Sequence, residues 1–437
     1  MPKNTNKLLS ALAPWNAWDG PSPYTGISRD ITPTLLPLIE RPEALVLTGI
    51  RRGGKSTIMF QLVEALVAQG TDRTSILYVN FDEPAIEPSR GTALLEDIYQ
   101  AFRERLCHRG RAIVFLDEVQ HVPKWERWVN GRLFTENISI VVSGSSAQLM
   151  SREIATLLTG RNITVRIFPL SFSEYLRFRG MDIPAKNTLL LEKQLHALRH
   201  ELYNFLQWGC FPEVTLERSD EIRARLLSQY LDDMLFKDVV MRHQIRDARL
   251  LRDMAVYLLT HTACRITLQS LRKAFGISLD MARAYLSYLQ EPYLIGEVRS
   301  HARSLKAQQV APRKVYAGDL GLRHVAALTH DEDIGRLEET AVFHALERRK
   351  QDLFYFAQKS YEVDFLVCHG LSVQEMIQVT HSDLSEENAK ARELAPLTAA
   401  DLFPGSLRTL ITYDWPDAEI PQPTKNLRLW EWLLDSA

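Results

Sequence analysis

One stretch constrains this chain more than any other. Gly49-Ile50-Arg51-Arg52-Gly53-Gly54-Lys55-Ser56 follows the apolar run Ala44-Leu45-Val46-Leu47-Thr48 and opens an amphipathic segment from Lys55 to Gln69. A buried strand entering a glycine-rich turn that a helix leaves lets backbone N–H groups curl around an anion, and the helix N-terminus adds partial positive charge. The G-x-x-x-x-G-K-S spacing therefore predicts a phosphate-binding loop in an α/β fold. Lys55 is placed to reach the β and γ phosphates of ATP and Ser56 to ligate Mg2+, while Gly49, Arg52, Gly53, Gly54 and Thr57 complete the cradle.

Further buried strands are expected at Ser75 to Phe81, Ala112 to Leu116 and Ile138 to Val142. The second ends in Asp117-Glu118. Asp117 is expected to hold the metal together with Ser56, and Glu118 to polarise an attacking water. A glutamate directly after the aspartate favours hydrolysis over phosphoryl transfer to a metabolite. The third ends in hydroxyls, where Ser145 either senses the γ phosphate or caps a helix; both readings stand. Arg161, in Leu158-Thr159-Gly160-Arg161, is a candidate for neutralising charge on the transferring phosphate, in its own site or across a subunit boundary, with an ordinary surface arginine as the alternative.

A length of 437 residues calls for two or three domains. Gly20, Pro21, Pro23 and Gly26 mark an irregular leader over 1–26, followed by a nucleotide-binding domain over 27–200. Residues 201–322 turn helical. Within them Ile266 to Val298 reads as helix, turn at Phe275-Gly276-Ile277-Ser278, helix Leu279 to Gln290 and strand pair, the outline of a winged helix. An α/β pattern returns over 323–437, with a helix from Glu339 to Lys350, strands at Leu353 to Phe356, Val363 to Val367, Met376 to Val379 and Leu407 to Tyr413, and a closing helix near Leu429.

With 52 basic and 54 acidic residues the net charge is −2, so any affinity for nucleic acid must be local. Arg242, His243, Arg246, Arg249 and Arg252 precede the helix-turn-helix segment, and Arg299, His301, Arg303, Lys306, Arg313 and Lys314 follow it. Such a zone suits DNA phosphates, a solvated face or an acidic protein partner. Cys107, Cys210, Cys264 and Cys368 lie too far apart for a zinc site or a disulfide scaffold, which suits a reducing compartment. No apolar run approaches the roughly 18 residues of a spanning helix, so a cytoplasmic protein without membrane partners is expected.

Taken together, Gly49 to Thr57, Phe115-Leu116-Asp117-Glu118, Ser143-Gly144-Ser145-Ser146, Gly160-Arg161 and Phe168-Pro169-Leu170-Ser171-Phe172-Ser173-Glu174 resemble a family of prokaryotic AAA-type ATP-binding proteins. The resemblance continues through Trp208-Gly209-Cys210-Phe211-Pro212-Glu213, Lys237-Asp238-Val239-Val240 and Lys314-Val315-Tyr316-Ala317-Gly318-Asp319-Leu320-Gly321. Gly53 departs from it, standing where the family usually has an apolar residue. The resemblance implies a P-loop ATPase core and a self-assembling chain. It also implies a last domain similar to the PD-(D/E)XK nuclease fold, with Glu339, Asp364, Gln378 and Thr380 at the matching positions. Thr380 stands in place of the lysine and Gln378 in place of an anionic metal ligand, so cleavage is not expected, although such a remnant still suits a grip on DNA. Ordinary surface carboxylates are the plain alternative for Glu339, Glu362 and Asp364.

The leading expectation is an Mg2+-dependent ATPase whose nucleotide state positions the winged helix and the nuclease-like domain on DNA or a partner protein, in a mobile-genome or antiphage setting. The alternatives are a non-hydrolysing ATP-holding DNA-binding or scaffold protein and, last, an ATP-dependent nuclease.

Overall fold

The computed structural model describes residues 8–22, 24–144, 160–181, 189–302, 304–327, 334–358, 361–370, 372–381, 394–395, 397, 402–414, 420 and 423–435. The chain forms two compact units, Met1–Phe168 and Pro169–Ala437.

The first unit is built on five strands, β1 (Ala44–Thr48), β2 (Ile76–Asn80), β3 (Ala112–Asp117), β4 (Ile138–Ser143) and β5 (Asn162–Arg166), in the order β2-β3-β4-β1-β5. Every pairing is parallel. Alternate residues feed two cores, as the period of two in a strand requires. Val46, Val79, Val114 and Val142 pack with helices Thr92–Arg105 and Trp125–Thr135, whereas Leu47, Tyr78, Phe115 and Val141 pack with helices Thr32–Ile39 and Lys55–Ala68. A sheet covered on both faces needs unbroken apolar strands, which is why four of them stand out in the sequence. β5 does not, because only Val165 among its residues is buried.

The stretch expected as an irregular leader holds a short helix over 8–12 and a 3-10 turn at Ala13–Trp15, and its described residues are packed. Asn16 donates through Nδ2 to Tyr78 O (2.9 Å) and accepts the Tyr78 N–H at Oδ1 (2.7 Å), so its amide pairs with the outer edge of β2 as a strand residue would. Arg73 ties the carbonyl oxygen of Gly20 to the Glu64 carboxylate, and Leu12 is fully buried. The compact unit thus takes in the leader, and it ends at Phe168 rather than near residue 200.

In the second unit, eight strands form one mixed sheet in the order β13-β12-β11-β10-β9-β7-β8-β6. They are β6 (Cys264–Ile266), β7 (Ile295–Ser300), β8 (Arg313–Ala317), β9 (Asp352–Ala357), β10 (Glu362–His369), β11 (Ser372–Thr380), β12 (Leu407–Thr412) and β13 (Lys425–Arg428). Thr267 caps helix Leu268–Phe275, Gly276 ends it with φ 64°, and Ser278 caps helix Leu279–Gln290, so the turn falls where its residues predict. β7 and β8 pair antiparallel, and β8 pairs with β6. β7 also pairs in parallel with β9 through Arg299↔Phe354 and Ser300↔Tyr355. One sheet therefore runs across the boundary expected at 322/323.

Two of the motifs quoted above meet in this unit. The buried Asp319 carboxylate accepts the N–H of Cys210 (2.9 Å) and the N–H of Gly321 (2.8 Å). A Cβ on Gly209, whose φ is 73°, would lie 2.1 Å from Asp319 Oδ1, and one on Gly321 2.2 Å from Trp208 O. Trp208-Gly209-Cys210 and Gly318-Asp319-Leu320-Gly321 are thus the two halves of one close backbone contact. Among the described residues no helix is long and apolar enough to cross a membrane, and all four cysteines are free.

Candidate nucleotide site

Because all five strands of the first unit run the same way, their carboxyl ends gather along one edge, the edge at which open α/β sheets take ligands. The loop Gly49–Gly54 leaves β1 there and Asp117 ends β3 there. Gly49 adopts φ 143° and Gly54 φ 93°, values that L side chains rarely adopt. A Cβ on Gly49 would fall 2.1 Å from Ile167 O, so only glycine lets the backbone after β5 pass. Gly53 is not among the positive-φ residues; its role is to offer its carbonyl to Arg29 Nη1 (3.1 Å). Arg29, buried, also donates to Phe168 O (2.8 Å) and braces the loop from behind. Arg52, exposed, carries the left-handed φ of 65°. Thr57 packs its methyl 3.4 Å from where a side chain on Gly26 would begin, on the leader side of the helix.

Lys55 is only 4% exposed, and its Nζ donates to Gly49 O (3.0 Å) and Ile50 O (3.1 Å), so the ammonium lies within the curl of the loop. Asp117 is buried, with one carboxylate oxygen accepting from Ser143 Oγ and the other from Tyr78 OH (2.6 Å). Its register partner on β2 is Asn80, and Ser143 stands opposite Leu47 on β1, so one row across the sheet ends at the loop. Ser56, next after Lys55, lies near enough to lower the Asp117 carboxyl and the Tyr78 phenol against the effect of burial. Burial, and then the neighbouring Glu118, push the Asp117 carboxyl above its ordinary range, and burial with Asp117 does the same to the Tyr78 phenol. A carboxylate and a hydroxyl held together at a strand end are hard oxygen donors, the set that suits Mg2+.

Glu118 sits in a left-handed conformation (φ 54°), a backbone strain tolerated where the surroundings fix it. Its N–H donates to Ser143 Oγ (3.1 Å) and its carboxylate accepts from Gln120 Nε2. The sequence reading did not single out Tyr78, Ser143 or Arg29. Ser143 is marked by its place at the end of β4, and Ser145, the hydroxyl expected to act there, lies outside the described residues. A tyrosine in an apolar run and an arginine near the leader gave no signal.

Arg161 stands elsewhere. Its carbonyl accepts the N–H of Ala44 at the start of β1, whereas the loop leaves the other end of that strand. Five residue steps separate Ala44 from Gly49, about 16 Å at the usual rise. The exposed guanidinium reaches Asn130 Oδ1 (3.3 Å) and stacks over Phe134, so it does not serve the phosphate loop of its own chain.

In the second unit the structure gathers Glu339, Glu362 and Asp364 around a lysine that the sequence reading placed in the exposed basic zone. Lys314, on β8 and 2% exposed, lies 2.7 Å from Glu339 Oε1, 2.7 Å from Glu362 Oε1 and 2.9 Å from Asp364 Oδ1. Asp364 Oδ2 accepts the Val379 N–H (2.9 Å), its own N–H points at Gln378 Oε1 (3.4 Å), and Tyr316 OH donates to Glu339 (2.7 Å). Thr380 is buried at the end of β11. The plain alternative of surface carboxylates fails for Glu339 and Asp364, which are buried.

Burial raises the Glu339 carboxyl from 4.5 to about 8, outweighing the opposing pull of Lys314. A group raised in the folded state contributes stability that is complete below its unfolded value and lost as pH climbs through the folded one. Thermal stability of the second unit should therefore fall between about pH 5 and pH 8, by at most about 1.4 kcal/mol per pH unit for this group. Unfolding curves across that range check this, and Glu339→Gln should flatten the slope.

Similarity to known proteins agrees with the nucleotide site. Residues 41–176 match an AAA domain, and residues 199–333 match a domain of unknown function (DUF8612). An uncharacterized protein of Haemophilus influenzae is 28% identical over 328 residues, covering 74% of this chain and 78% of that protein. Among solved structures, Aeropyrum pernix ORC1 in complex with DNA aligns at TM-score 0.30 and 15% identity over 70% of this chain and 92% of its own. The Thermotoga maritima RuvB Holliday junction branch migration motor aligns at TM-score 0.30 and 13% identity over 65% of this chain and 94% of its own. The uncharacterized protein MJ1544 of Methanocaldococcus jannaschii is 32% identical over 377 residues, covering 84% of this chain and 80% of that protein. With that identity along most of both chains, and an AAA domain holding the phosphate loop, this protein belongs to the family of MJ1544.

Proposed function

We propose that the protein is an Mg2+-dependent ATPase whose nucleotide state positions the second unit on a partner. The observation that carries the reading is the buried Asp117 carboxylate, held by Ser143 and Tyr78 at the end of β3 beside Glu118, on the sheet edge where the phosphate loop leaves β1. Ser56 and Asp117 would hold Mg2+, which supplies charge compensation between the phosphates. Lys55 neutralises the phosphate oxygens, and Glu118, fixed through its own N–H, orients the water. The AAA match supports nucleotide dependence and leaves the partner open. The experiment is steady-state phosphate release from ATP with no polymer, single-stranded DNA, duplex DNA and RNA in parallel, beside Asp117→Ala. Mg2+-dependent release that Asp117→Ala removes is expected; its absence in all four arms would favour the passive ATP-holding scaffold.

Helix Leu268–Phe275, helix Leu279–Gln290 and the β7–β8 hairpin support the winged-helix reading. The basic zone supports DNA binding less than its composition suggests. Arg242 and His243 share Glu291, Arg252 pairs with Asp232, Arg299 and Arg313 flank Glu297, and Lys314 is buried. Arg246, Arg249 and Lys306 are exposed, and Arg303 lies outside the described residues. A protein partner is accordingly the favoured target in a cytoplasmic setting. If duplex DNA binds through the three exposed cations that stand outside these ion pairs, the log–log salt slope should be no steeper than about −3. A slope near −8 in a fluorescence anisotropy titration would reverse that preference. Arg161 keeps one role under this proposal, that of a charge offered to a neighbouring copy, and Arg161→Ala should then remove any rise of specific activity with protein concentration.

A further inference from the structure

The nuclease-like resemblance implies a divalent cation among Glu339, Asp364 and Gln378, and the donor set around Lys314 does not fit one. An ammonium carries three N–H donors and no acceptor. Lys314 meets three carboxylate oxygens, each from a different residue, at 2.7, 2.7 and 2.9 Å. These are charge-assisted N–H···O distances, so the ammonium itself fills the centre of the three carboxylates. The other oxygen of Asp364 is taken by the Val379 N–H, and Glu339 Oε1 also accepts from Tyr316. Gln378, the third expected ligand, turns its carbonyl oxygen to the Asp364 N–H.

We infer that Lys314 is a built-in cation that occupies the metal position, so that the second unit is a metal-independent, non-cleaving domain whose carboxylates serve to lock β8 onto β10 and helix Ile334–Arg348. Lys314 and Tyr316 alternate with Val315 and so share one face of β8, which delivers both to the cluster. The register extends the lock along the sheet, because β8 reaches β10 only through β7 and β9. The positive charge that Thr380 fails to supply from β11 thus comes from a strand about 65 residues earlier in the chain. It is spent on the carboxylates as structure, each of the three giving one oxygen to the ammonium.

The test is Mn2+ binding to the full chain without nucleotide, in an Asp117→Asn background that silences the phosphate-loop site, read by electron paramagnetic resonance of free Mn2+ and by thermal unfolding. The chain with native Lys314 should bind no Mn2+ in the micromolar range and unfold at the same temperature in Mn2+ as in EDTA. Lys314→Met should unfold at a lower temperature and regain stability on titration with Mn2+, a regain that Asp364→Asn abolishes. Saturable Mn2+ binding with Lys314 present, lost on Asp364→Asn, would overturn the inference, as would a folded Lys314→Met chain indifferent to Mn2+. Should Lys314→Met not fold, the titration with Lys314 in place decides alone.

Discussion

Lys55→Ala is expected to lower the rate of ATP hydrolysis by roughly 10²–10³-fold, the usual loss when one positioned charge is removed from a developing anion. The ammonium is nearly buried and held by Gly49 O and Ile50 O within the curl of the loop. Removing it should also weaken ATP binding, because the same charge meets the β and γ phosphates before the reaction begins. Glu118→Gln should separate the two effects. It leaves the left-handed backbone, the N–H to Ser143 and the Asp117 carboxylate with its Ser143 and Tyr78 partners in place, so ATP should still bind while hydrolysis falls by roughly 10²-fold. Rapid-quench turnover alongside equilibrium binding of a fluorescent ATP analogue distinguishes them. Wild-type turnover by Lys55→Ala would remove the ATPase reading altogether.

The second large effect is on stability. Asp319→Ala should destabilise the second unit by roughly 3–5 kcal/mol, since the buried N–H groups of Cys210 and Gly321 would both lose a charged acceptor. Burial holds the Asp319 carboxyl above its ordinary range, and the N–H donors work against that shift. Asp319→Asn, which keeps one acceptor, should cost less than alanine. Urea unfolding followed by near-ultraviolet circular dichroism measures the loss, and ATP binding by the first unit serves as the control. A change below about 1 kcal/mol in Asp319→Ala would show that the contact is not what joins the two motifs.

The legible parts of this protein were those governed by local rules. The Gly49–Ser56 loop announces itself because close backbone approach demands glycine and phosphate demands a lysine and a helix start. Four of the five strands of the first unit are readable because both their faces are covered, and Asp117 because it closes such a strand. Gly276 and Ser278 mark the turn between two helices by local chemistry alone. β5 was not legible, since its single buried residue leaves no apolar run. Nor was the packed leader, because Asn16 at the edge of β2 is a polar residue whose partner lies 62 positions away.

Charge shows the division most plainly. The sequence alone determines that Lys314 belongs to a cluster of basic residues, and that Thr380 stands where a lysine was wanted. Whether a charge faces solvent, a phosphate or a carboxylate depends on strand pairing, which is a long-range choice that composition does not encode. The tertiary structure turned Lys314 inward onto Glu339, Glu362 and Asp364, and placed Arg161 at the opposite end of the sheet from the loop it was expected to serve. Local backbone chemistry decided where phosphate can bind; the pairing of distant strands decided which cations are free to meet anything else.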